Sequence, residues 1–449
     1  MTLSSGAPSR PLQPLSGAYR AVWRWHFYAG LMVLPVLMLM ALTGGLYLFK
    51  AEIESALYGG LSRVEARGET VSPDRWTAAA EIGLGGVATS VFVPDQPDRA
   101  VQVKVRTEQG DRTAFVDPYD ARVIGSVKGD GLMGSVKRLH SLEILGRPFN
   151  ILVEIVAGWA IILVATGLYL WWPRGRDVAT AAPRLGDVKR RSFWRDLHAV
   201  TGLYAGAVIA FLAVTGMPWS AVWGDVFLTQ MRESGLGRPP APAAASPWSD
   251  GGADAPAGHG WTMEGAVLEA PGAGEASLSR IMQTVRAEDL PAPYTISIPG
   301  DPTLAYTVAR TTTRAEEARS LYVDGRTGEV KADARWDQFG VGAQAFEWGI
   351  AVHQGTQYGW TNRIVMLLGC IAIWMLAISG GVMWWKRRAD RAGLGAPTAP
   401  PGPRVRAAVL GIVLPLAIIY PLTGLSLLVA IGVDRLVRLI HRPRSEVAP

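Results

Sequence analysis

Four histidines in this chain are each followed, at a fixed distance, by a hydroxyl residue and a glycine. Two spacings occur, and each occurs once in either half of the chain. The 17-residue spacing joins His26 to Thr43-Gly44 and His198 to Thr215-Gly216, and the 26-residue spacing joins His140 to Thr166-Gly167 and His353 to Ser379-Gly380. Four of the six histidines therefore occupy equivalent places in a duplicated unit, as expected if each of them holds something.

The composition indicates a membrane protein. Of 449 residues, 49% are hydrophobic and only 18% are charged, whereas a typical soluble domain is about 25% charged. Apolar runs near or above the ~20 residues that cross a hydrocarbon core are residues 25–49, 149–172, 199–223, 364–385 and 407–433. With the residues that lead into them, the second and fourth spans are predicted at 140–172 and 351–385. The first run exceeds the roughly 7–15 apolar residues of a signal peptide, and we expect a retained anchor.

Basic residues predict the orientation of these spans. Segments 173–198 and 386–406 are rich in Lys and Arg and poor in acidic residues. The positive-inside rule places both segments, and the amino-terminal residues 1–24, in the cytoplasm. The net charge of +6 is therefore mainly a topology signal, which argues against a nucleic-acid partner.

The carboxyl-terminal apolar run allows two topologies. A fifth span over residues 407–433 is favoured, although it would export the basic tail, residues 434–449. A re-entrant pair of half-helices, broken near Pro415 and Pro421, would keep the tail inside, but each half would be shorter than a full span. The predicted fold class is a polytopic α-helical membrane protein, with a four-helix core from an internal duplication and a fifth C-terminal span.

Two segments on the extracytoplasmic side, residues 50–139 and 224–350, are each predicted to form a small α+β domain. Each contains one helical stretch followed by runs of alternating polarity. The predicted helices are residues 76–82 and 278–285, and the predicted strands are residues 100–107, 113–117, 304–310 and 320–324. Residues 236–260 are rich in Pro, Ala, Gly and Ser, which predicts a loop without a fold of its own.

The span topology sorts the four histidines into two pairs. His26 and His198 begin spans that run outward, so both lie at the cytoplasmic end. His140 and His353 precede spans that run inward, so both lie at the outer end. Two imidazoles that face each other across a helical bundle, with small residues close by, suit a flat and bulky ligand. We expect two non-covalent haem b groups with these histidines as axial ligands of the iron, because no Cys-x-x-Cys-His attachment motif is present.

Two alternatives remain open for these histidines. A zinc or copper site usually recruits Cys, Asp or Glu to complete three or four ligands. The single cysteine, Cys370, lies inside the fourth span and is expected to be far from either histidine pair. Interfacial histidines also snorkel or cap helix ends, a role that fits one histidine better than four in a repeated register. His259 and His441 lie outside the repeat and are expected to have no cofactor role.

Charged residues near the histidines are further candidates. Arg24, Arg138 and Arg195 precede His26, His140 and His198 by two or three residues. Guanidinium groups pair bidentately with carboxylates, so these arginines are candidate partners of haem propionates, or else ordinary interfacial arginines. Glu154 lies early in the second span, where a carboxylate is costly. It is expected either to line a polar cavity near the outer site or to reach the interface.

Several segments resemble the PepSY-associated transmembrane family. The segments are residues 23–30, 139–140, 166–174, 195–203 and 353–363, within a resemblance that covers residues 20 to about 390. The most specific motifs are Thr-Gly-Leu-x-x-Trp-Trp-Pro-Arg and Asp-Leu-His-x-x-Thr-Gly-Leu. The best understood members are bacterial inner-membrane ferric-siderophore reductases, with b-type haems on membrane histidines and PepSY-like periplasmic domains. The resemblance implies the same haem role for His26, His140, His198 and His353.

The resulting hypothesis is electron transfer across the bacterial inner membrane. A cytoplasmic or membrane donor would reduce the inner haem, and the electron would leave through the outer haem to a periplasmic acceptor such as a ferric siderophore. No Gly-x-Gly-x-x-Gly fingerprint follows a strand, so the electron donor is expected to be a separate molecule. A membrane binding or assembly partner with structural histidines, and a metal or haem transporter, remain as alternative functions.

Overall fold

The computed structural model describes residues 17–172, 182, 187–234, 236, 275–301, 304–388, 411, 414, 415 and 417–440. Several predicted segments therefore lie outside the described residues. These are residues 1–16, most of the loop 236–260 with His259, much of both basic loops, parts of the fifth apolar run, and the tail from residue 441 with His441.

The described chain is mainly helical. The helices are α1 (Gly17–Tyr47), α2 (Lys50–Ser62), α3 (Pro73–Leu84), α4 (Gly131–His140), α5 (Asn150–Trp171), α6 (Arg191–Gly216), α7 (Trp223–Glu233), α8 (Leu278–Ala287), α9 (Val341–His353), α10 (Gly359–Arg388) and α11 (Pro421–Ile440). The strands are β1 (Gly86–Val93), β2 (Val101–Thr107), β3 (Gly110–Val116), β4 (Val123–Lys128), β5 (Tyr294–Ser297), β6 (Tyr306–Arg310), β7 (Arg319–Val323) and β8 (Val330–Arg335).

Within the described residues, four helices are long and apolar enough to cross a membrane. They are Gly17–Tyr47, Asn150–Trp171, Arg191–Trp219 and Gly359–Arg387, which correspond to α1, α5, α6 with the turn that follows it, and α10. The first four predicted spans are therefore confirmed as long apolar helices.

The fifth predicted span coincides only in part with a described helix. α11 begins at Pro421, and a short helical stretch at residues 417–419 ends at Tyr420 just before it. Proline is well tolerated in the first turn of a helix, where its missing N–H has no partner to lose. The helix thus starts where the sequence predicted a break, and the number of crossings in this segment stays a prediction.

The chain divides into two compact units. The first contains residues 1–35, 158–210 and 374–449, and the second contains residues 36–157 and 211–373. Most of α5 and α6 and the end of α10 belong to the first unit. The sheet and helices α2, α3, α4, α7, α8 and α9 belong to the second.

The two segments that were predicted to form separate α+β domains contribute to a single sheet in the second unit. Its eight strands are antiparallel and run in the order β4-β3-β2-β1-β5-β6-β7-β8. The two four-stranded meanders meet where β1 pairs with β5, with Val91 opposite Ile296. The sequence predicted two separate α+β domains, whereas the structure joins the strands of both segments edge to edge. Each meander thereby covers the open edge of the other, an edge that would otherwise invite pairing with another chain.

Helices α3 and α8 cover the sheet and share one hydrophobic core. Trp76 and Ile281, one from each helix, are almost completely buried in the same cluster as Val103 and Val308. The indole N–H of Trp76 donates to the carbonyl oxygen of Pro118 at 3.2 Å. Both predicted helices, residues 76–82 and 278–285, are confirmed. Each has an apolar face that packs on the apolar face of the sheet.

Equivalent aspartates end the third strand of each meander. Asp117 follows β3 and Asp324 follows β7, and both are almost fully buried. The carboxylate of Asp117 accepts from the backbone N–H of Tyr119 at 2.9 Å, and that of Asp324 accepts from the N–H of Arg326 at 2.8 Å. The third strand of each meander thus ends in a turn of the same kind, since an aspartate that bonds to the backbone two residues ahead favours a turn.

Candidate functional site

The first unit brings His26 and His198 close together, with their rings nearly perpendicular. His26 lies on α1 and His198 lies on α6, with ring centroids 6.3 Å apart and ring planes at 85°. Two imidazoles need about this separation when one nitrogen of each ring lies roughly 2 Å from a shared metal ion. The sequence prediction that these two histidines form a pair therefore agrees with the geometry of the unit.

Helix α5 supports His26 through the pair Thr166-Gly167, which follows His140 in the sequence. The Nδ1 atom of His26 lies 2.9 Å from the Oγ1 atom of Thr166, whose hydroxyl donates to the carbonyl oxygen of Ile162 at 2.6 Å. A Cβ atom added to Gly167 would lie 3.4 Å from Cε1 of His26. The imidazole of His26 thus contacts a hydroxyl through Nδ1 and a glycine through Cε1.

Helix α10 supports His198 in the same way. The Nδ1 atom of His198 lies 3.0 Å from Oγ of Ser379 and 3.1 Å from the carbonyl oxygen of Leu376. The hydroxyl of Ser379 donates to the carbonyl oxygen of Met375 at 2.6 Å. A Cβ atom on Gly380 would lie 3.6 Å from Cε1 of His198.

In the second unit, Thr43 and Gly44 support His140. Nδ1 of His140 lies 2.9 Å from Oγ1 of Thr43, whose hydroxyl donates to the carbonyl oxygen of Leu39 at 2.7 Å. A Cβ atom on Gly44 would lie only 3.3 Å from Cε1 of His140.

The second unit supports His353 with Thr215 and Gly216. Nδ1 of His353 lies 2.8 Å from Oγ1 of Thr215, and that hydroxyl donates to the carbonyl oxygen of Phe211 at 2.7 Å. The Cβ position of Gly216 is 3.6 Å from Cε1 of His353. Each of the four repeated histidines therefore has a hydroxyl beside Nδ1 and a glycine beside Cε1.

His140 and His353 are neighbours within the second unit, and each is the last residue of a short helix that precedes a span. Burial lowers the pKa of His140 to about 4. Burial, together with the neighbouring His140, lowers the pKa of His353 to about 3. Both imidazoles are therefore neutral near pH 7, and the neutral form is the one that binds a metal.

An aromatic side chain that the sequence analysis did not single out packs beside His353. The rings of Trp219 and His353 have centroids 6.3 Å apart at 78°, and Trp219 also contacts Phe346 at 6.2 Å. The repeat in the sequence could have indicated this residue. An aromatic residue lies four positions after each threonine, Tyr47 after Thr43 and Trp219 after Thr215.

The three predicted arginines have different surroundings. Arg195 forms an ion pair with Asp196, a largely buried residue, at 2.8 Å. The guanidinium carbon of Arg24 lies 5.1 Å from the centre of the Tyr28 ring. Arg138 is exposed near the end of α4. The role proposed for them with haem propionates stays a prediction, and Arg195 already has a carboxylate partner in this chain.

Glu154 does not reach the solvent-accessible surface. Its side chain is completely buried, and one carboxylate oxygen accepts from the backbone N–H groups of Val222 and Trp223 at 3.3 and 3.1 Å. The carboxylate thus sits at the first turn of α7, where unpaired N–H groups and the helix dipole favour an anion.

The expectation that Cys370 lies far from the histidines is wrong. Helix α10 packs on the glycines of α1, and Sγ of Cys370 is 3.9 Å from the Cβ position of Gly44, the glycine that also contacts His140. The sequence separation of Cys370 and His140 does not predict this contact. It arises because Gly44 has no side chain and lets α1 and α10 approach closely. Among the described residues, no group of three or more His, Cys, Asp or Glu side chains is arranged to hold a metal ion.

The long apolar helices define the class, a protein that is embedded in a membrane. The chain belongs to the PepSY-associated TM region family, whose profile matches residues 23–387. This match covers both histidine pairs and all eight strands. No curated protein matches the chain closely enough to add a named relative.

Proposed function

We propose that this chain is a di-haem b-type electron-transfer protein of the bacterial inner membrane, which reduces a ferric siderophore or a similar ferric chelate on the periplasmic side. In this proposal the chain arose by internal duplication and its amino terminus is cytoplasmic. The two PepSY-like segments that form the sheet lie in the periplasm. The observation that carries the proposal is the His26–His198 pair, with ring centroids 6.3 Å apart and each Nδ1 atom within hydrogen-bond distance of a hydroxyl.

The residues of the inner pair fit a haem better than they fit a bare metal ion. Two imidazoles supply the two axial positions of a haem iron, whose remaining ligands belong to the porphyrin. A bare ion would need further protein ligands, and the described residues offer no such cluster. When bound, a haem would supply one-electron chemistry through its iron.

The outer pair supports a second haem on the same grounds. His140 and His353 have the same hydroxyl and glycine neighbours as the inner pair. The match to a single family profile over residues 23–387 is consistent with one function for both pairs.

The direction of electron flow is inferred from the sequence topology. The basic loops assign His26 and His198 to the cytoplasmic ends of their spans, and His140 and His353 to the outer ends. A donor on the cytoplasmic side or in the membrane would supply the electrons. Reduction of the ferric chelate by one electron lowers the charge on the iron, and so weakens its attraction for anionic oxygen ligands.

Absorption spectroscopy of the purified full-length protein in detergent tests this proposal. We expect about two haems per chain, with a low-spin spectrum that changes reversibly between oxidised and dithionite-reduced forms. His198→Ala and His353→Ala should each remove about one haem. A colourless protein, or one that takes up haem without loss in these two variants, would overturn the proposal and favour a binding or transport role.

A further inference from the structure

We infer that the hydroxyls of Thr166, Ser379, Thr43 and Thr215 are positioning residues that fix the tautomer of the four histidines and lower the reduction potential of any haem they hold. The inference rests on the proposed function, because it concerns how the same histidines bind iron. It goes further by assigning an electronic role to the hydroxyl of each hydroxyl-glycine pair.

Each hydroxyl has already used its only proton. The carbonyl oxygen four residues earlier in the same helix accepts from it at 2.6 or 2.7 Å, a short and therefore strong contact. The four bonds are Thr166 to Ile162, Ser379 to Met375, Thr43 to Leu39 and Thr215 to Phe211. A hydroxyl has one proton and two lone pairs, so towards the histidine each of these oxygens acts as an acceptor.

The histidine must therefore donate from Nδ1. In a neutral imidazole one nitrogen carries the proton and the other carries a lone pair. With the proton on Nδ1, the lone pair is on Nε2, the atom that is free to bind iron. His198 gives independent support, because its Nδ1 atom also lies 3.1 Å from the carbonyl oxygen of Leu376, which can only accept.

Back-bonding of Ser and Thr to the helix carbonyl is common in membrane helices and needs no functional reason. What it does not explain is that a histidine nitrogen lies within 3.0 Å of the same hydroxyl at all four positions. Nor does it explain the glycine that follows each hydroxyl, whose Cβ position lies 3.3 to 3.6 Å from Cε1 of the same imidazole. The hydroxyl contacts Nδ1 and the glycine contacts Cε1, and Nε2 is not the ring atom that either of them contacts.

The hydrogen bond has a predictable electronic effect. A donor bond from Nδ1–H makes the imidazole a more basic ligand, and a more basic ligand favours the ferric state over the ferrous state. Hydrogen bonding around the axial ligand is one of the means by which a protein sets a haem potential. Removing the acceptor should therefore shift the equilibrium toward the ferrous form and raise the potential.

The test is an optical redox titration of the purified, haem-containing full-length protein and its variants. Ser379→Ala removes the side-chain acceptor at the inner site, and Thr215→Val removes it at the outer site with little change in volume. Each variant should raise one of the two haem potentials, by roughly a tenfold change in the redox equilibrium, or 59 mV for a one-electron couple. Ser379→Ala should have the smaller effect, because Leu376 still accepts from His198.

Three variants complete the design. Thr215→Ser and Ser379→Thr keep the hydroxyl and should retain potentials close to those of the wild type. Thr361→Val, at an exposed position on the same helix as Ser379, should leave both potentials unchanged. If Thr215→Val loses the outer haem altogether, rescue by Thr215→Ser supports the positioning role, whereas failure of Thr215→Ser to retain haem contradicts it.

The outcomes separate this inference from the proposed function. A wild-type protein without haem would defeat the proposed function, and the inference with it. Two haems whose potentials do not move in Thr215→Val and Ser379→Ala, or move downward, would overturn the inference alone. Equal shifts of both haems in one variant would also overturn it, because each hydroxyl contacts a single histidine.

Discussion

The four repeated histidines differ from ordinary interfacial histidines in the constancy of their neighbours. Each imidazole has a hydroxyl on one nitrogen and a glycine against Cε1. A lone histidine at a membrane interface needs neither. A cofactor site needs ligands that are held to about 0.5 Å by their neighbours, and each of these rings has two such neighbours.

The ring angle of the inner pair predicts a spectroscopic signature. The imidazole planes of His26 and His198 are nearly perpendicular, at 85°. Perpendicular axial imidazoles leave two iron orbitals close in energy, so the ferric haem should give an electron paramagnetic resonance spectrum dominated by one strongly shifted low-field feature. The measurement uses the His353→Ala protein, which should retain only the inner haem. Three well-separated features of comparable weight would contradict the geometry.

Two adjacent glycines on α1 offer a matched test of the outer site. Gly44→Ala places a methyl group 3.3 Å from Cε1 of His140, tighter than an ordinary contact, so the ring must shift. Gly45→Ala faces only side-chain atoms of Leu367 and Cys370 at 3.8 to 3.9 Å. We expect Gly44→Ala to weaken outer haem binding severalfold, measured by haem retention on dilution, and Gly45→Ala to bind as the wild type does. Equal retention in both variants would count against a fixed ring position.

The sequence indicated the histidines but not their hydrogen bonds. Fixed spacing in two halves was enough to select His26, His140, His198 and His353. The sequence does not show that each hydroxyl-glycine pair contacts an imidazole. That contact depends on how the helices pack, and residue spacing does not encode helix packing. The same limit explains the error on Cys370, whose approach to Gly44 depends on how α10 packs against α1.

At the scale of elements, the long helices and four of the eight described strands were predicted. The predicted strands overlap β2, β3, β6 and β7, of which β2 alternates most clearly between buried and more exposed positions. β5 has only four residues, β1 contains a bulge between Ala88 and Ser90, and three of the six residues of β8 are charged. A bulge breaks the period of two on which strand prediction rests. The pairing of β1 with β5 could not be predicted either, because the two strands are about two hundred residues apart in the chain.

A carboxylate joins α3 to α8 and predicts an acid-sensitive contact. Partial burial raises the pKa of Asp74, but hydrogen bonds from Ser279, Leu278 and Ser277 outweigh it and lower the pKa below its usual value. The two shortest are 2.5 Å from the Ser279 hydroxyl and 2.6 Å from the Leu278 N–H. A depressed pKa in the folded state means that Asp74 stabilises the fold above the pKa of the unfolded chain, near 4, and that this stability is lost as pH falls through the folded pKa.

Asp74→Asn should therefore destabilise the protein by about 2 kcal/mol at neutral pH, the usual value for hydrogen bonds to a charged group. Thermal unfolding at pH 7 and at pH 3 measures the effect as the difference between wild type and variant. The difference should be largest at pH 7 and shrink at pH 3, where Asp74 is increasingly protonated. A difference that is independent of pH would show that the carboxylate charge is unimportant.

Close packing of α11 on α5 gives a prediction for the first unit. A Cβ atom on Gly158 would lie 2.0 Å from Oγ1 of Thr423, an impossible contact, and the indole N–H of Trp159 donates to Oγ of Ser426 at 2.9 Å. Gly158→Ala should therefore force α11 away and cost roughly 1–3 kcal/mol, as overpacking usually does. Gly432→Ala, also on α11 and in open space, is the control for thermal stability. Equal melting temperatures would contradict the packing.

At the scale of the whole molecule, the proposed function needs both histidine pairs, and the family profile covers all four histidines. The topology predicted from the basic loops assigns one pair to each face of the membrane. With a bilayer core about 30 Å thick, a haem at one predicted face could not replace a haem at the other. In the proposed function the two pairs therefore act in series, which is its central claim.

Electron transfer in sealed membrane vesicles tests this claim directly, with the reductant inside and a membrane-impermeant ferric chelate outside. Wild-type protein should reduce the external chelate. His198→Ala and His353→Ala should both abolish that reduction, and in His353→Ala the internal donor should still reduce the inner haem. Dithionite added after solubilisation should reduce the surviving haem in both variants, which controls for misfolding. Normal reduction of the external chelate by either variant would contradict transfer in series through the two histidine pairs.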